Sequence, residues 1–274
     1  MSSILTNNGA MVALQTLKSI NSNLTDTQNA ISTGKEVATA KDNSAIWAIS
    51  KVMESDVSGF KAVSESLSLG GSTVAVASAG AEQITDLLKE MKEKVVAATG
   101  ENVDNGKINT DVQAIKDQIT DIIEGSQFNG SNLLNTAGGD ITVLSSLNRD
   151  AAGTVTADNI TVASVDFEAN LDLTGIDVTT SANADGSLAN MEALIQAAVN
   201  GASALGASAK RISDQNDFVS KVTDAMKTGI GSLVDTDMEE SSARLKALQT
   251  QQQLGVQALS IANQAPQALM QLFR

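Results

Sequence analysis

Along the first 31 residues apolar side chains fall at Ile4, Leu5, Met11, Leu14, Leu17, Ile20, Leu24 and Ile31, among others. Leu17, Leu24 and Ile31 stand seven apart and Leu14 precedes Leu17 by three, the narrow stripe of a helix that packs against one other helix. The opposite end of the chain repeats the period. Met238, Leu245, Gln252 and Leu259 recur every seven residues, as do Leu248, Gly255, Ala262 and Leu269. Either stripe alone also fits an ordinary amphipathic core helix. Together they predict an N-terminal helix paired with a C-terminal one, Leu14, Leu17, Leu24 and Ile31 facing Leu245, Leu248, Leu259 and Leu269.

Between the ends, apolar positions from Ile46 through Phe60, Leu67, Ile84 and Leu88 to Val95 predict one long helix. Asp42 is placed to cap its start near Asn43, and the Gly70-Gly71 pair is placed to bend it. A second helix is expected from about Asp104 to Glu124, with Ile108, Val112, Ile115, Ile119 and Ile122 on one face. The pattern then changes. From Phe128 to about Asn183 the chain is rich in Gly, Asn, Asp, Thr and Val, and short alternating runs at Asp140–Leu144 and Asn159–Ala163 read as small strands or loops. Helical spacing resumes near Ser187 and continues to about Leu233, where Asp235-Thr-Asp237 separates it from the terminal helix. The expected fold is mainly α: a hairpin of long coiled-coil-like helices, N- and C-terminal helices paired at one pole and a small β/loop insertion at the other.

Charge sharpens this picture. The chain carries a net charge of -14, yet its acidic residues run only from Asp26 to Glu240, and its last 24 residues hold no charge before Arg274. Neutral ends of this kind are commonly frayed tails, but their apolar period argues for burial. Burying the eight large apolar side chains of Gln251–Arg274 does not outweigh the conformational entropy of ordering that segment alone. The segment needs a partner. Aromatic residues make up 2% of the chain, with one Trp, no Tyr and one Pro, a composition suited to long, closely approaching helices.

With neither Cys nor His, the chain has no thiolate nucleophile, no imidazole base and no ordinary zinc site. An acidic chain of pI near 4.3 lacks the basic patch that nucleic acid requires. No apolar run is long enough for a membrane span, and the first Lys is Lys18, so the basic start of a Sec-type signal is missing. Ser32-x-x-Lys35 and Ser58-x-x-Lys61 have the spacing of a serine-lysine nucleophile pair, but its companion motifs are absent and chance accounts for both. Asp235-Thr-Asp237 reads as a helix start stabilised by carboxylates before it reads as a metal fragment. No enzyme activity and no cofactor are expected. The sequons at Asn23, Asn129 and Asn159 are accounted for by chance.

Three stretches carry a resemblance to bacterial flagellin, the filament subunit of the flagellum. ISTGKEVATAKDNSA, Ile31 to Ala45, is similar to the family's Ser/Gly-rich connector after the first helix. SQFNGSNLL, Ser126 to Leu134, resembles its Phe-Asn-Gly turn. LGVQALSIANQAPQALMQLFR matches its C-terminal signature. The resemblance implies terminal helices forming the inner tube of a hollow filament, a second rod of helices around them, and an insert facing solvent. The corresponding segments are 1–33 and 235–274 for the inner coiled coil, 34–42 for the connector, 43–137 and 187–234 for the rod, and 138–186 for the outer insert. It further implies self-assembly, alone or mixed with other flagellins, secretion through the flagellar type III apparatus, an export chaperone, and cap and junction proteins. Sugars O-linked to the exposed domain would fall on Ser145, Ser146, Thr154, Thr156, Thr161, Thr179 and Thr180. An innate receptor that binds many flagellins through an Arg and a Leu would meet Glu90 and Lys94 here, which implies poor activation. A hook-filament junction protein, sharing the terminal helices, is the alternative. A signalling or membrane-active coiled coil is a more distant one, since the polar faces lack the Lys and Arg expected for lipid binding.

Overall fold

The computed structural model describes residues 7–272, with the backbone alone over 265–272. It is mainly helical. In chain order the elements are α1 (Asn8–Thr33), α2 (Ser44–Ala98), α3 (Asn105–Gly125), β1 (Gln127–Phe128), β2 (Ser131–Asn132), β3 (Ile141–Arg149), β4 (Val155–Val162), α4 (Phe167–Asn170), a 3-10 turn at Leu173–Gly175, α5 (Ser181–Val234) and α6 (Met238–Leu272). The chain divides into two compact units, Met1–Ser55 with Ala225–Arg274, and Asp56–Asp224. Helices α2 and α5 contribute to both.

In the larger unit, α2 buries Phe60, Val63, Leu67, Val74, Ala77, Ala81, Ile84, Leu88, Met91, Val95 and Ala98. Their spacing alternates three and four residues, broken only where Gly70 takes a turn of the stripe. That is the seam of a helix in coiled-coil packing. The helix runs through Gly70-Gly71 without interruption, and Gly70 admits the hairpin: a Cβ there would lie 2.3 Å from Val143 Cγ2 of β3. Strand β3 pairs antiparallel with β4, from Ile141 opposite Val162 to Arg149 opposite Val155, with an irregularity between Leu144 and Ser146. The hairpin is fastened to helices by side chains. Leu144 N–H donates to Ser66 Oγ at 3.2 Å, Gln215 Nε2 donates to the Ser145 carbonyl at 2.9 Å, and the Arg149 guanidinium grips the Asp56 carboxylate.

Helix α3 starts at an Asp104 cap whose carboxylate accepts from Lys107 N–H at 3.2 Å. It ends where the buried Asn132 amide donates to the Ile123 carbonyl at 2.7 Å. Asn129 and Gly130, both at positive φ, make the two-residue turn between β1 and β2. On α3's inner face Val112, Ile115, Ile119 and Ile123 are buried; Ile123, rather than Ile122, completes the stripe. Lys116 donates to the Ile176 carbonyl at 2.7 Å, and burial pushes its pKa down against the opposing pull of Asp177, Asp117 and Asp172.

Two helix starts differ from expectation. Asn43, not Asp42, caps α2: its Oδ1 accepts from Ile46 N–H at 3.2 Å. Asp42 folds back instead, accepting from Ala38 N–H at 3.1 Å, Thr39 N–H at 2.8 Å and Thr39 Oγ1 at 3.0 Å. Helix α5 begins at Ser181, six residues before Ser187, helped by Thr180 Oγ1 accepting from Asn183 N–H. Its first turns hold only Ala, Ser, Asn, Asp and Gly, so no apolar period announced them.

Candidate assembly interface

The smaller unit brings the terminal helices together. On α1 the seam runs through the half-buried or buried Ala10, Ala13, Leu17, Ile20, Leu24, Thr27 and Ile31, with Ala30 half-buried beside it, and on α6 through Ser241, Leu245, Leu248, Gln252, Gly255, Leu259 and Ala262. Both series alternate steps of three and four, which holds a seam on one side of each helix. The pairing is antiparallel. Asn7 Nδ2 donates to the Ala262 carbonyl at 2.7 Å, Gln252 Nε2 donates to Asn21 Oδ1 at 2.7 Å, and Leu17 Cδ1 would stand 3.1 Å from a Cβ on Gly255. Small residues let the backbones approach, and amides at the seam's margins satisfy one another.

The structure thus brings Leu17, Leu24, Ile31, Leu245, Leu248 and Leu259 into the seam, with Leu248 fully buried. Leu14 does not join them. It is 58% exposed, because the three-four alternation passes through Ala13. The side chain of Leu269 lies outside the described residues. Ala10, Ala13, Thr27 and Ser241 belong to the seam although no large apolar residue marked them; stepping three and four from Leu17 and Leu245 would have found them.

The joint between α5 and α6 holds the connector by backbone bonds. Glu36 N–H donates to the Val234 carbonyl at 2.8 Å and Thr236 N–H to the Gly34 carbonyl at 3.0 Å, around the buried Val37 and Val234. Asp237 caps α6, accepting from Glu239 and Glu240 N–H groups. That is the helix-start role, and among the described residues no cluster of three potential metal ligands exists. Lys35 stands 3.8 Å from Glu54, whose carboxyl is held below its usual range mainly by its hydrogen bond from Lys51.

Outside the seam both terminal helices still expose large apolar side chains. Met11, Val12 and Leu14 on α1 and Leu254, Val256 and Ile261 on α6 are exposed, Ile261 by 70%. Only Lys18 and Asp26 carry charge along α1, and α6 carries none beyond Lys246. Leu254, Ala258 and Ile261 repeat the seam spacing on a second side of α6, so this helix offers two stripes and the single chain covers one.

Among the candidate sugar acceptors, Thr154, Thr156, Thr161, Thr179 and Thr180 are exposed and Ser146 is half-buried. Ser145 is buried and donates to the Asp158 carbonyl at 3.0 Å, which corrects its place on that roster: its oxygen is not open to a sugar. Thr179 Oγ1 donates to Asp177, whose carboxyl is pulled down chiefly by the Thr179 N–H. Glu90 is exposed, and Lys94 pairs with Asp111 at 3.1 Å. Among the described residues no helix is long and apolar enough to cross a membrane.

Residues 4–138 match the bacterial flagellin N-terminal helical region, and residues 188–273 match the bacterial flagellin C-terminal helical region. Flagellin FljM of Caulobacter vibrioides is 41% identical, covering 100% of this chain and 99% of its own. A flagellin of Brucella melitensis is 41% identical with both chains fully covered, and Flagellin A of Rhizobium meliloti 33% identical with both fully covered. A crystal structure of Bacillus cereus flagellin aligns over 55% of this chain and 86% of that one, at 20% identity and TM-score 0.49. The chain belongs to the bacterial flagellin family. It is a structural, non-enzymatic protein, a secreted subunit that polymerises into an extracellular filament.

Proposed function

We propose that this chain builds the flagellar filament by burying the second stripe of α6 and the outward apolar positions of α1 against neighbouring copies, forming the innermost layer of the polymer. The observation that carries this reading is the exposure of Val12, Leu254, Val256 and Ile261 on uncharged stretches, α1 before Lys18 and α6 beyond Lys246. Contacts of this heterologous kind, repeated without closing into a ring, generate a helical filament, and like charges stacked along it would be costly to desolvate. Segments 1–33 and 235–274 then serve as the inner layer, 34–42 as the connector, 43–137 and 187–234 as the rod, and 138–186 as the outer insert. Before assembly the apolar stripe of α6 suits an export chaperone, and at the filament's ends cap and junction proteins.

The test is Ile261→Asp. Its side chain points away from the α1–α6 seam, so the variant is expected to keep the helicity and melting of the monomer while losing filaments in sedimentation and electron microscopy. Normal filaments would refute the second-stripe reading.

Two further properties follow the family. Sugars on Thr154, Thr156, Thr161, Thr179, Thr180 or Ser146 would raise the intact mass of filament-derived chain above the bare 28.2 kDa; an unmodified mass would remove that reading. Glu90 and the ion-paired Lys94 in place of an Arg and a Leu reverse one charge and remove one apolar contact. Receptor activation in reporter cells is expected to be weak, and potency equal to a strong activator would contradict it.

A further inference from the structure

We infer that Met11 and Met238 are oxidation sites that gate polymerisation, peroxides acting on the free subunit and not on the filament. The inference rests on the assembly reading above. Met11 is 61% exposed and Met238 47% exposed, both in the unit that carries the assembly surface, whereas Met91 and Met191 are fully buried. Met11 lies beside Val12 and Leu14 on the outward side of α1, where only Lys18 and Asp26 carry charge. An unbranched thioether suits such a surface because it adapts to an irregular apolar partner.

The reaction needs no catalytic group. A methionine sulfur lone pair takes the terminal oxygen of a hydroperoxide; the S–O bond forms as the O–O bond breaks, and water, or an alcohol from an organic peroxide, leaves after proton transfer. Sulfur loses two electrons and the peroxide gains them. The sulfoxide oxygen is a strong acceptor on a stretch of α1 built to be covered by apolar contact, so burying it against another copy without a hydrogen-bond donor carries the desolvation cost of an unpaired polar group. The free subunit is thereby vulnerable at the positions that the polymer covers.

The experiment uses the full chain. Monomer is treated with hydrogen peroxide to partial conversion, taken through a salt-induced polymerisation step and sedimented, and sulfoxide at each methionine is read by peptide mass spectrometry in pellet and supernatant. Sulfoxide at Met11 and Met238 is expected to be enriched several-fold in the supernatant. Reduction by the two epimer-specific methionine sulfoxide reductases should return those chains to the pellet. Preformed filaments given the same dose should keep both residues reduced, with Met91 and Met191 reduced in both forms. Equal occupancy in pellet and supernatant, exclusion that tracks Met1, Met53, Met226 or Met270 instead, or chains that stay soluble after reduction would each overturn the inference. If untreated chain fails to sediment, the assembly reading itself falls, a result distinct from any of these.

Discussion

Asp42 shows how one side chain can serve a turn that the sequence assigned to a helix. As a short acidic residue next to a helix start it fits an N-cap, but Asn43 is adjacent and equally competent. With Asn43 at the cap, the Asp42 carboxylate gathers the Ala38 and Thr39 amides. Those bonds, the one from Thr39 N–H first, hold its carboxyl below the usual aspartate range. Because the folded value is depressed, the stabilisation is present above the unfolded pKa and is lost as pH falls through the lowered folded one. Hydrogen exchange corrected for intrinsic rates should therefore show protected Ala38 and Thr39 amides near neutral pH. Protection should fall in the wild type only at pH below the ordinary aspartate range, and at every pH in Asp42→Ala. Unchanged protection in the variant would contradict the assignment.

At the scale of elements, the two terminal helices were legible as a pair because Leu17, Leu24 and Ile31 on one side and Leu245, Gln252 and Leu259 on the other keep a seven-residue period. The seam's smaller members were not legible. Ala10, Ala13, Thr27 and Ser241 contribute little to any hydrophobic pattern, and Leu14, the more apolar neighbour of Ala13, drew the stripe one residue away from its true path. Alternation at Asp140–Leu144 and Asn159–Ala163 read as small strands or loops, but the pairing of β3 with β4 and its attachment through Ser66, Gln215 and Asp56 depend on residues far apart in the chain. Close approach at Gly255 yields a prediction for the pair. Gly255→Leu would force side-chain atoms into Leu17, whose Cδ1 lies 3.1 Å from the Cβ position. Overpacking of this kind costs about 1–3 kcal/mol. Circular dichroism of the monomer should show a lower melting temperature, and an equal or higher one would mean that the helices part more easily than the seam implies.

For the whole molecule, the distribution of charge separates two tasks. The acidic residues that give the chain a net charge of -14 lie between Asp26 and Glu240, where they favour solubility. In the proposed assembly the neutral ends supply a surface whose burial completes only when copies meet. A sequence could reveal that division, because charge and apolar period are both readable along the chain. It marked the side of α6 that the single chain covers, through Leu245, Leu248 and Leu259, but not the second stripe, Leu254–Ala258–Ile261, that the single chain leaves open.

The central claim is that the uncharged C-terminal segment is an assembly element. Purified full-length chain and a form lacking Gln251 to Arg274 should be carried side by side through a polymerising salt step, sedimentation and negative-stain microscopy. Long filaments from the full-length chain alone are the predicted result. Filaments from both forms, or two equally compact soluble monomers, would contradict the claim and reduce the segment to a helix that serves its own chain.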